Sequence, residues 1–335
     1  EDGFTIDCKV DMLLSSDTET GIVRSMGLGM VGFADAFAEL QPDLVVVLGD
    51  RFEILSAAIA ATVARIPLAH LHGGETTEGA FDESFRHSIT KMSHLHFTST
   101  ADYRDRVIQL GEQPERVFNF GAPGLDNINR LNLLSREAFE KSIGFKLGKR
   151  NLLVTFHPVT LENATSEAQF SALLASLDEL EETHLVFTKA NADTGGKIIN
   201  QMIDGYASSH PTCSIAHASL GQLRYLSALQ YVDGVIGNSS SGLLEVPSFK
   251  IGTINIGDRQ LGRIRADSVI DCAPTPDQIS SALETLFSPV FQSRLATVEN
   301  PYGGDNIAEK IVDVIGLFPL DDILKKKFHD MGKNL

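Results

Sequence analysis

Short apolar runs alternate with longer amphipathic stretches along most of this 335-residue chain. Uninterrupted short apolar runs are typical of strands that a parallel sheet buries on both faces, and the stretches between them have the spacing of crossover helices. The pattern predicts an α/β fold. In the first half of the chain we expect strands at Leu44–Leu48, Pro67–Leu71, Leu95–Thr98 and Val117–Phe120, and helices at Thr20–Glu39, Glu53–Ala64, Glu83–Met92 and Ala101–Leu110.

A second series of the same kind begins at Leu152. Its strands are expected at Leu152–Phe156, His184–Thr188, Cys213–Ala216, Gly234–Ile236 and Thr253–Ile256, and its helices at Glu167–Leu180, Gly196–Ser208, Leu220–Leu229 and Gln278–Phe287. The two series predict two Rossmann-like, doubly wound domains, residues 1–145 and 151–305, joined by a Gly- and Lys-rich linker at 143–150. Two further helices, Asn306–Leu317 and Asp321–Phe328, are expected in 306–335 and should pack back toward the N-terminal domain.

The composition excludes several classes of partner. A net charge of −16 and a pI near 5.0 disfavour nucleic acids and anionic membranes, because both require a surplus of Lys and Arg. No apolar run approaches the ~18 residues that span a bilayer. The three cysteines share no metal-ligand or CxxC spacing, which is typical of reduced thiols. We expect a soluble, cytoplasmic protein with no nucleic-acid or membrane partner.

A loop rich in small and hydroxyl residues, 237–247, follows the predicted strand at Gly234–Ile236. If a helix begins near Ser240, its free N–H groups and the hydroxyls of Ser239, Ser240 and Ser241 would suit phosphate oxygens. Glu245 would lie about one turn further on, where it could accept hydrogen bonds from ribose hydroxyls. The alternative is an ordinary Ser-rich helix cap.

The loops after the first strands carry acid and base residues. Asp50 and Arg51 follow one strand, and Asp50 could simply be a helix N-cap. Arg51 would oppose the helix dipole, so we expect it to face an anion or an aromatic base. His72 and Glu75 follow the next strand. His70 and His72 could share one face of a strand and form a metal pair, but no third ligand accompanies them, and we expect no metal.

A third acid lies in the following helix, where Asp82 and Arg86 are four residues apart on one face. The pair could be no more than a surface ion pair. Its position suggests more, because Asp50, His72, Glu75 and Asp82 would then gather at one edge of a cleft as candidate acid/base groups.

The second half supplies candidate cations. His157 ends the first strand of that half, although a histidine in such a place is often structural. Arg259 ends another strand. Together with Arg51, these residues would give an anionic ligand the positive charge that the acidic chain otherwise lacks.

These motifs together resemble the hydrolysing UDP-N-acetylglucosamine 2-epimerases of the sialic acid pathway. The matching segments are Leu48–Arg51, His70–Glu75, Phe81–His87, Phe156–Pro158, Gly237–Gly242 with Glu245, and Ile256–Gln260. The resemblance implies a glycosyltransferase-B-like pair of domains with the active site in a central cleft, and a homodimer or homotetramer. It also implies C2 deprotonation of a UDP-sugar substrate, loss of UDP and hydration of the glycal to N-acetylmannosamine. No cofactor is implied.

The resemblance also implies residue roles. Asp50 and Asp82 match catalytic carboxylates, and the residue matching His157 contacts the phosphates and is needed for turnover. Many relatives have Glu where this chain has His72, so the base could be His72 itself or Glu75, with Arg86 in the same catalytic set. UDP is expected to contact Arg51, His157, Ser239, Ser240, Ser241, Glu245 and Arg259.

Other readings remain open. Relatives begin with a strand and an arginine loop that this sequence lacks, so we expect a segment to precede Glu1. The same chemistry could act on UDP-2,4-diacetamido-2,4,6-trideoxyglucose on the way to legionaminic acid. A retaining glycosyltransferase or a catalytically silent nucleotide-sugar binding protein would share the architecture.

Overall fold

The structure is a computed structural model that describes residues 4–14, 18–76, 78, 81–159, 166–190 and 196–332. The chain divides into two compact units. Unit 1 comprises Glu1–Glu75, Phe81–Pro123 and Gly304–Leu335, and unit 2 comprises Thr76–Ala80 and Gly124–Gly303. Each unit has one parallel sheet, so the predicted α/β class is confirmed. Among the described residues, no helix is both long enough and apolar enough to cross a membrane.

Unit 1 contains a four-stranded sheet in the order β1-β2-β3-β4. Its strands are β1 (Val45–Leu48), β2 (Leu68–Leu71), β3 (Leu95–Thr98) and β4 (Val117–Asn119). Its helices are α1 (Glu19–Leu40), α2 (Phe52–Ala64), α3 (Asp82–Met92), α4 (Ala101–Gln109) and α13 (Ile307–Leu317).

Unit 2 contains a six-stranded sheet in the order β10-β9-β8-β5-β6-β7. Its strands are β5 (Arg150–Thr155), β6 (Thr183–Thr188), β7 (Ser214–His217), β8 (Gly234–Gly237), β9 (Gly252–Ile256) and β10 (Val269–Cys272). Its helices are α5 (Asp126–Arg130), α6 (Arg136–Ile143), α7 (Ser166–Asp178), α8 (Gly196–Ser209), α9 (Gly221–Ala228), α10 (Ser241–Leu244), α11 (Pro276–Phe287) and α12 (Pro289–Leu295). Counted from β5, the order is that of a doubly wound dinucleotide-binding sheet, with its switch point between β5 and β8.

Strand β5 shows why the strands are continuous apolar runs. Leu152, Val154 and Phe156 lie in one buried cluster with residues of α7, α8 and α11. Leu153, between them in sequence, lies in a second cluster with residues of α6 and α9. Because neighbouring strand residues point to opposite faces, helices on both sides of the sheet require apolar side chains at every position.

Residues 143–150, expected to form a linker, are instead part of unit 2. Helix α6 ends at Ile143 with Gly144 in the left-handed region, φ 66°. Ile143 and Leu147 are buried in the same cluster as Leu153 of β5. Packing of these side chains against the sheet therefore places the boundary between the units before α5 and α6, at Pro123 and Gly124. The sequence reading also missed β10, a partly exposed strand at the edge of the sheet.

The C-terminal segment belongs to unit 1, where Ile307 and Ile311 of α13 pack in a buried cluster with residues of β2 and β3. The second predicted helix, Asp321–Phe328, is wrong: these residues form a turn and an extended strap. The turn has short-range backbone hydrogen bonds, such as Lys325 N–H to the Asp322 carbonyl, and other backbone groups of the strap are bonded to the rest of unit 1. Arg116 donates to the Ile323 carbonyl, Gln113 to the Lys327 carbonyl, and the His329 N–H donates to Gly111.

A buried carboxylate anchors this strap. Glu112 accepts hydrogen bonds from Lys91 (2.5 Å), His96 Nε2 (3.0 Å) and Lys326 of the strap (2.6 Å). Burial opposes the charged form, but the bonds from His96, Lys326 and Lys91 outweigh it and lower the pKa of Glu112 to about 2. Ionised Glu112 therefore stabilises the folded unit.

We predict that Glu112→Gln destabilises the protein by about 3 kcal/mol at pH 7, because it breaks a buried ion-pair cluster. The pKa of this carboxyl lies below its unfolded value, so its contribution is complete above pH 4.5 and is lost as the pH falls toward 2. Urea unfolding of both proteins should show a difference that shrinks below pH 4.5. Asp322→Asn removes the exposed Lys325 ion pair in the same strap and should change little. A pH-independent difference would contradict the assignment.

Candidate functional site

The switch point of unit 2 brings two loops side by side. Strand β5 pairs with β8 so that Thr155 lies opposite Gly237. Gly237 has φ +142°, and a Cβ atom there would overlap the Thr155 carbonyl. Only glycine allows the two strand ends to approach this closely. The loops that follow, which begin with His157 and Asn238, therefore lie next to each other where ligands bind in such folds.

Asn238 fixes the position of His157. Its Oδ1 accepts the His157 N–H at 2.7 Å, and its Nδ2 donates to the His157 carbonyl at 2.7 Å. The Asn238 side chain is only 1% exposed. Its own carbonyl accepts from Arg259 at 3.0 Å and from Gln260 at 2.9 Å. Asn238 thus joins the loops after β5, β8 and β9.

His157 is not one of the local cations that the sequence suggested. Burial, and then the positive charge of Arg259, lower its pKa to about 4. At neutral pH its imidazole is uncharged, because desolvation penalises the imidazolium and the guanidinium repels it. It can still donate one hydrogen bond and accept another, and Arg259 supplies the charge.

The serine loop forms a single turn, since α10 spans only Ser241–Leu244 and a 3₁₀ turn, Val246–Phe249, follows. A helix this short has little dipole, so the predicted dipole contribution is small. The hydrogen-bond donors are nevertheless in place: Ser240 is the N-cap residue, and its side chain does not cap the helix. Ser239 Oγ accepts from the Ser241 N–H at 3.4 Å, and Ser241 Oγ is hydrogen-bonded to the Tyr225 hydroxyl.

Described residues of unit 2 line a cavity of about 450 Å³ at this switch point. It contains His157 and Glu245, both expected from the sequence. Burial, and then the negative charge of Glu245, raise the pKa of the neighbouring Tyr225 hydroxyl, which therefore stays protonated. The sequence reading missed the wall residues Thr188, Lys189, Ser219, Gly221, Gln222 and Tyr225. Several follow the carboxyl ends of β6 and β7, so the rule that selected His157 and Ser240 could have found them.

In unit 1, a buried arginine joins the acid/base candidates. Arg86, 2% exposed, donates to Asp50 Oδ2 and, at 3.0 Å, to the His72 carbonyl. It also lies 4.0 Å from Glu75 Oε2. The carboxylates of Asp50 and Glu75 therefore face a shared cation. Asp50 is not the N-cap of α2; that position is taken by Arg51.

Two other expected residues lie at helix starts in unit 1. Asp82 is the first residue of α3, one turn before Arg86, where a carboxylate is favoured by the helix dipole. Arg51 is about half exposed, and its guanidinium pairs with Glu53 of its own helix at 3.2 Å. The anion that Arg51 faces here is thus a neighbouring side chain.

The histidine pair considered for a metal does not form. β2 ends at Leu71, and His72 lies beyond it in the left-handed region, φ 65°, so the two rings do not share a strand face. His70 is fully buried between the Gly49 carbonyl (2.9 Å) and Thr90 Oγ1 (3.1 Å). Burial lowers its pKa to about 3. Within the described ranges, no group of three or more His, Cys, Asp or Glu side chains could hold a metal ion.

The sequence profile of one family, UDP-N-acetylglucosamine 2-epimerase, matches residues 1–316. The chain belongs to this family. The family-level resemblance seen in the motifs is thereby confirmed.

Individual members of the UDP-N-acetylglucosamine 2-epimerase family show how close the similarity is. The GDP/UDP-N,N'-diacetylbacillosamine 2-epimerase (hydrolyzing) of Campylobacter jejuni is 42% identical over 332 residues, 99% of this chain and 86% of that protein. The polysialic acid biosynthesis protein P7 of Escherichia coli is 41% identical over 331 residues, 98% of this chain and 83% of that protein. A UDP-GlcNAc 2-epimerase structure from Neisseria meningitidis, bound to UDP-GlcNAc, has a TM-score of 0.78 with 16% identity, covering 90% of this chain and 83% of that one. That likeness confirms the predicted fold class.

We predict that Gly237→Ala lowers the free energy of unfolding by about 3 kcal/mol, because the new methyl group meets the Thr155 carbonyl and strains a backbone with φ +142°. Gly205→Ala is the matched control in the same unit. An added Cβ at Gly205 meets nothing within 4 Å, and alanine favours the helix by up to about 1 kcal/mol. Urea unfolding measures both variants, and equal effects would show that the close approach at Gly237 has no energetic weight.

Proposed function

We propose that this protein is a hydrolysing 2-epimerase that acts on a UDP-linked 2-acetamido sugar. In this reaction a base removes the proton from C2, UDP leaves from C1, and water adds to the resulting glycal. The products are UDP and the free sugar with inverted configuration at C2. The observation that carries the proposal is the switch-point cavity of unit 2, which His157 and Glu245 both line, in a member of this family.

The cavity is suited to a nucleoside diphosphate. Glu245 can accept hydrogen bonds from the two ribose hydroxyls, because a carboxylate offers two acceptor oxygens. Ser239, Ser240 and Ser241 supply hydroxyl donors for phosphate oxygens, and Arg259, held by the Asn238 carbonyl, supplies a positive charge. We propose that the neutral His157 donates to the diphosphate. Transition-state charge on departing UDP would then meet donors that are already in position.

The chemistry at C2 needs acid/base groups. Because the product has inverted configuration, the proton leaves C2 from one face and another proton arrives at the opposite face. Two groups are therefore required. We propose that they come from the acid/base candidates of unit 1, among which Asp50 and Asp82 match catalytic carboxylates of the family, and that Arg51 contributes to binding of UDP.

The preferred substrate in this proposal is UDP-N,N'-diacetylbacillosamine, which is UDP-2,4-diacetamido-2,4,6-trideoxyglucose. It is supported by the name of the Campylobacter relative, 42% identical over nearly the whole chain. UDP-N-acetylglucosamine, converted to N-acetylmannosamine for sialic acid synthesis, is the second candidate. It is supported by the polysialic acid protein, which is 41% identical.

A direct test is to incubate the purified protein with each UDP-sugar and no acceptor. We expect continuous release of UDP, formation of the 2-epimeric free sugar by NMR, and deuterium at C2 when the reaction is run in heavy water. UDP-glucose, which lacks the 2-acetamido group, is the control and should release little UDP. Release only after a sugar acceptor is added would indicate a glycosyltransferase, and binding without release would indicate a nucleotide-sugar sensor. Either outcome would overturn the proposal.

We predict that Ser240→Ala and Glu245→Ala each weaken UDP binding by about tenfold or more, because each removes hydrogen bonds to a charged or vicinal-diol group. Titration calorimetry with UDP measures the effect directly. Ser281→Ala and Glu284→Ala, on exposed positions of α11, are matched controls that should bind UDP as the wild type does. Unchanged affinity in the Ser240 and Glu245 variants would remove these residues from the UDP site.

A further inference from the structure

The turn after β2 folds a carboxylate back onto a histidine. His72 adopts the left-handed region, φ 65°, which is uncommon for a residue other than glycine, and Gly74 follows with φ 78°. This turn places Glu75 Oε1 at 2.6 Å from His72 Nδ1. Left-handed backbone at a non-glycine residue costs free energy and persists only where the surroundings enforce it. Here the enforced geometry is the contact between imidazole and carboxylate.

The carboxylate of this pair is itself fixed. Glu75 is 2% exposed, and the Ser99 hydroxyl donates to Oε1 at 2.7 Å. The buried Arg86 guanidinium lies 4.0 Å from the other oxygen and donates to the His72 carbonyl at 3.0 Å. Arg86 therefore fixes the backbone of His72, and Glu75 fixes its ring. A carboxylate oriented by these donors acts as an acceptor toward the imidazole.

The contact determines which nitrogen of the neutral ring carries the proton. Nδ1 donates to Glu75, so the lone pair is on Nε2. Among the residues that the structure describes, no protein group is hydrogen-bonded to His72 Nε2, and the side chain is 14% exposed. The outward nitrogen is thus able to accept a proton. Asp50, by contrast, is bonded to the Arg86 guanidinium.

We propose that His72 is the general base for C2 of the sugar and that Glu75 is its positioning residue; this rests on the function proposed above. Nε2 takes the C2 proton, the C–H electron pair forms the C1=C2 double bond, and the C1–O bond breaks with its electrons leaving on UDP. Glu75 balances the positive charge of the imidazolium. Water then adds to C1, and a second group, such as Asp82, protonates C2 from the opposite face.

The first experiment replaces His72 with glycine, which tolerates the left-handed backbone and leaves room for a free imidazole. We expect turnover to fall at least about a hundredfold while UDP affinity stays within about twofold. Added imidazole should raise the turnover of His72→Gly at least tenfold. His87→Ala is the matched control, because His87 has its own carboxylate partner, Glu83, at 3.1 Å on α3. It should keep wild-type turnover and show no response to imidazole.

The second experiment observes the ring directly and does not depend on turnover. With ¹⁵N-labelled histidine, the wild-type His72 signals, assigned by their loss in His72→Asn, should show protonated Nδ1 and unprotonated Nε2 at pH 8. Glu75→Gln should lower this preference, reduce turnover at least tenfold and leave UDP affinity unchanged. Glu83→Gln should leave the His72 signals as they are.

Three results would overturn the proposal: turnover of His72→Gly within threefold of the wild type, a loss that imidazole fails to restore, or a wild-type ring protonated on Nε2. If Glu75→Gln loses turnover without changing the ring signals, Glu75 does not act through His72. A wild type that releases no UDP from either sugar would refute the proposed function, whereas the ring signals test the His72–Glu75 contact by themselves.

Discussion

The pairing of β5 with β8 is the constraint on which the binding half of this protein depends. The strand order reverses at this pair, so the loops after both strands leave the same edge of the sheet without a helix between them. Gly237 makes the approach close enough for Asn238 to reach the backbone of His157. Without that approach, the loops that carry His157, Arg259 and the three serines would not be joined to one another. With it, Asn238 bonds to both His157 and Arg259, and His157 lines a cavity together with Glu245.

In unit 1, several ionisable groups are buried close together. The Arg86 guanidinium has donors for Asp50 and for the His72 carbonyl, and its charge lies close to Glu75. A buried charge is costly unless it is paired and hydrogen-bonded, so each carboxylate stabilises the arginine and the arginine stabilises them. Glu112 uses the same principle elsewhere in the unit, where it holds the C-terminal strap through Lys326.

Much of the fold could be predicted from the sequence, because strands buried on both faces have to be apolar at every position. The central strands, such as β5 and β8, were expected within one or two residues of their observed bounds. The prediction from sequence was wrong where tertiary contacts, and not local spacing, decide the conformation of a segment. Residues 321–328 have helical spacing, but the side chains of Gln113 and Arg116 donate hydrogen bonds to two of their carbonyl groups, at 327 and 323. The Gly- and Lys-rich segment after α6 carries turn residues, yet Leu147 within it is buried in the core.

For the site, the sequence by itself determined which residues follow the strands: Asp50, His72, Glu75, His157, Ser240 and Arg259 all lie in loops whose position the strand pattern predicts. Their partners were decided only by the tertiary structure. Nothing in the sequence indicates that Arg86 binds Asp50, that Glu75 holds the ring of His72, or that burial keeps His157 neutral. Hydrogen bonds between residues distant in sequence, and the loss of water around them, depend on where the chain folds back, and that is set by the whole core rather than by any local motif.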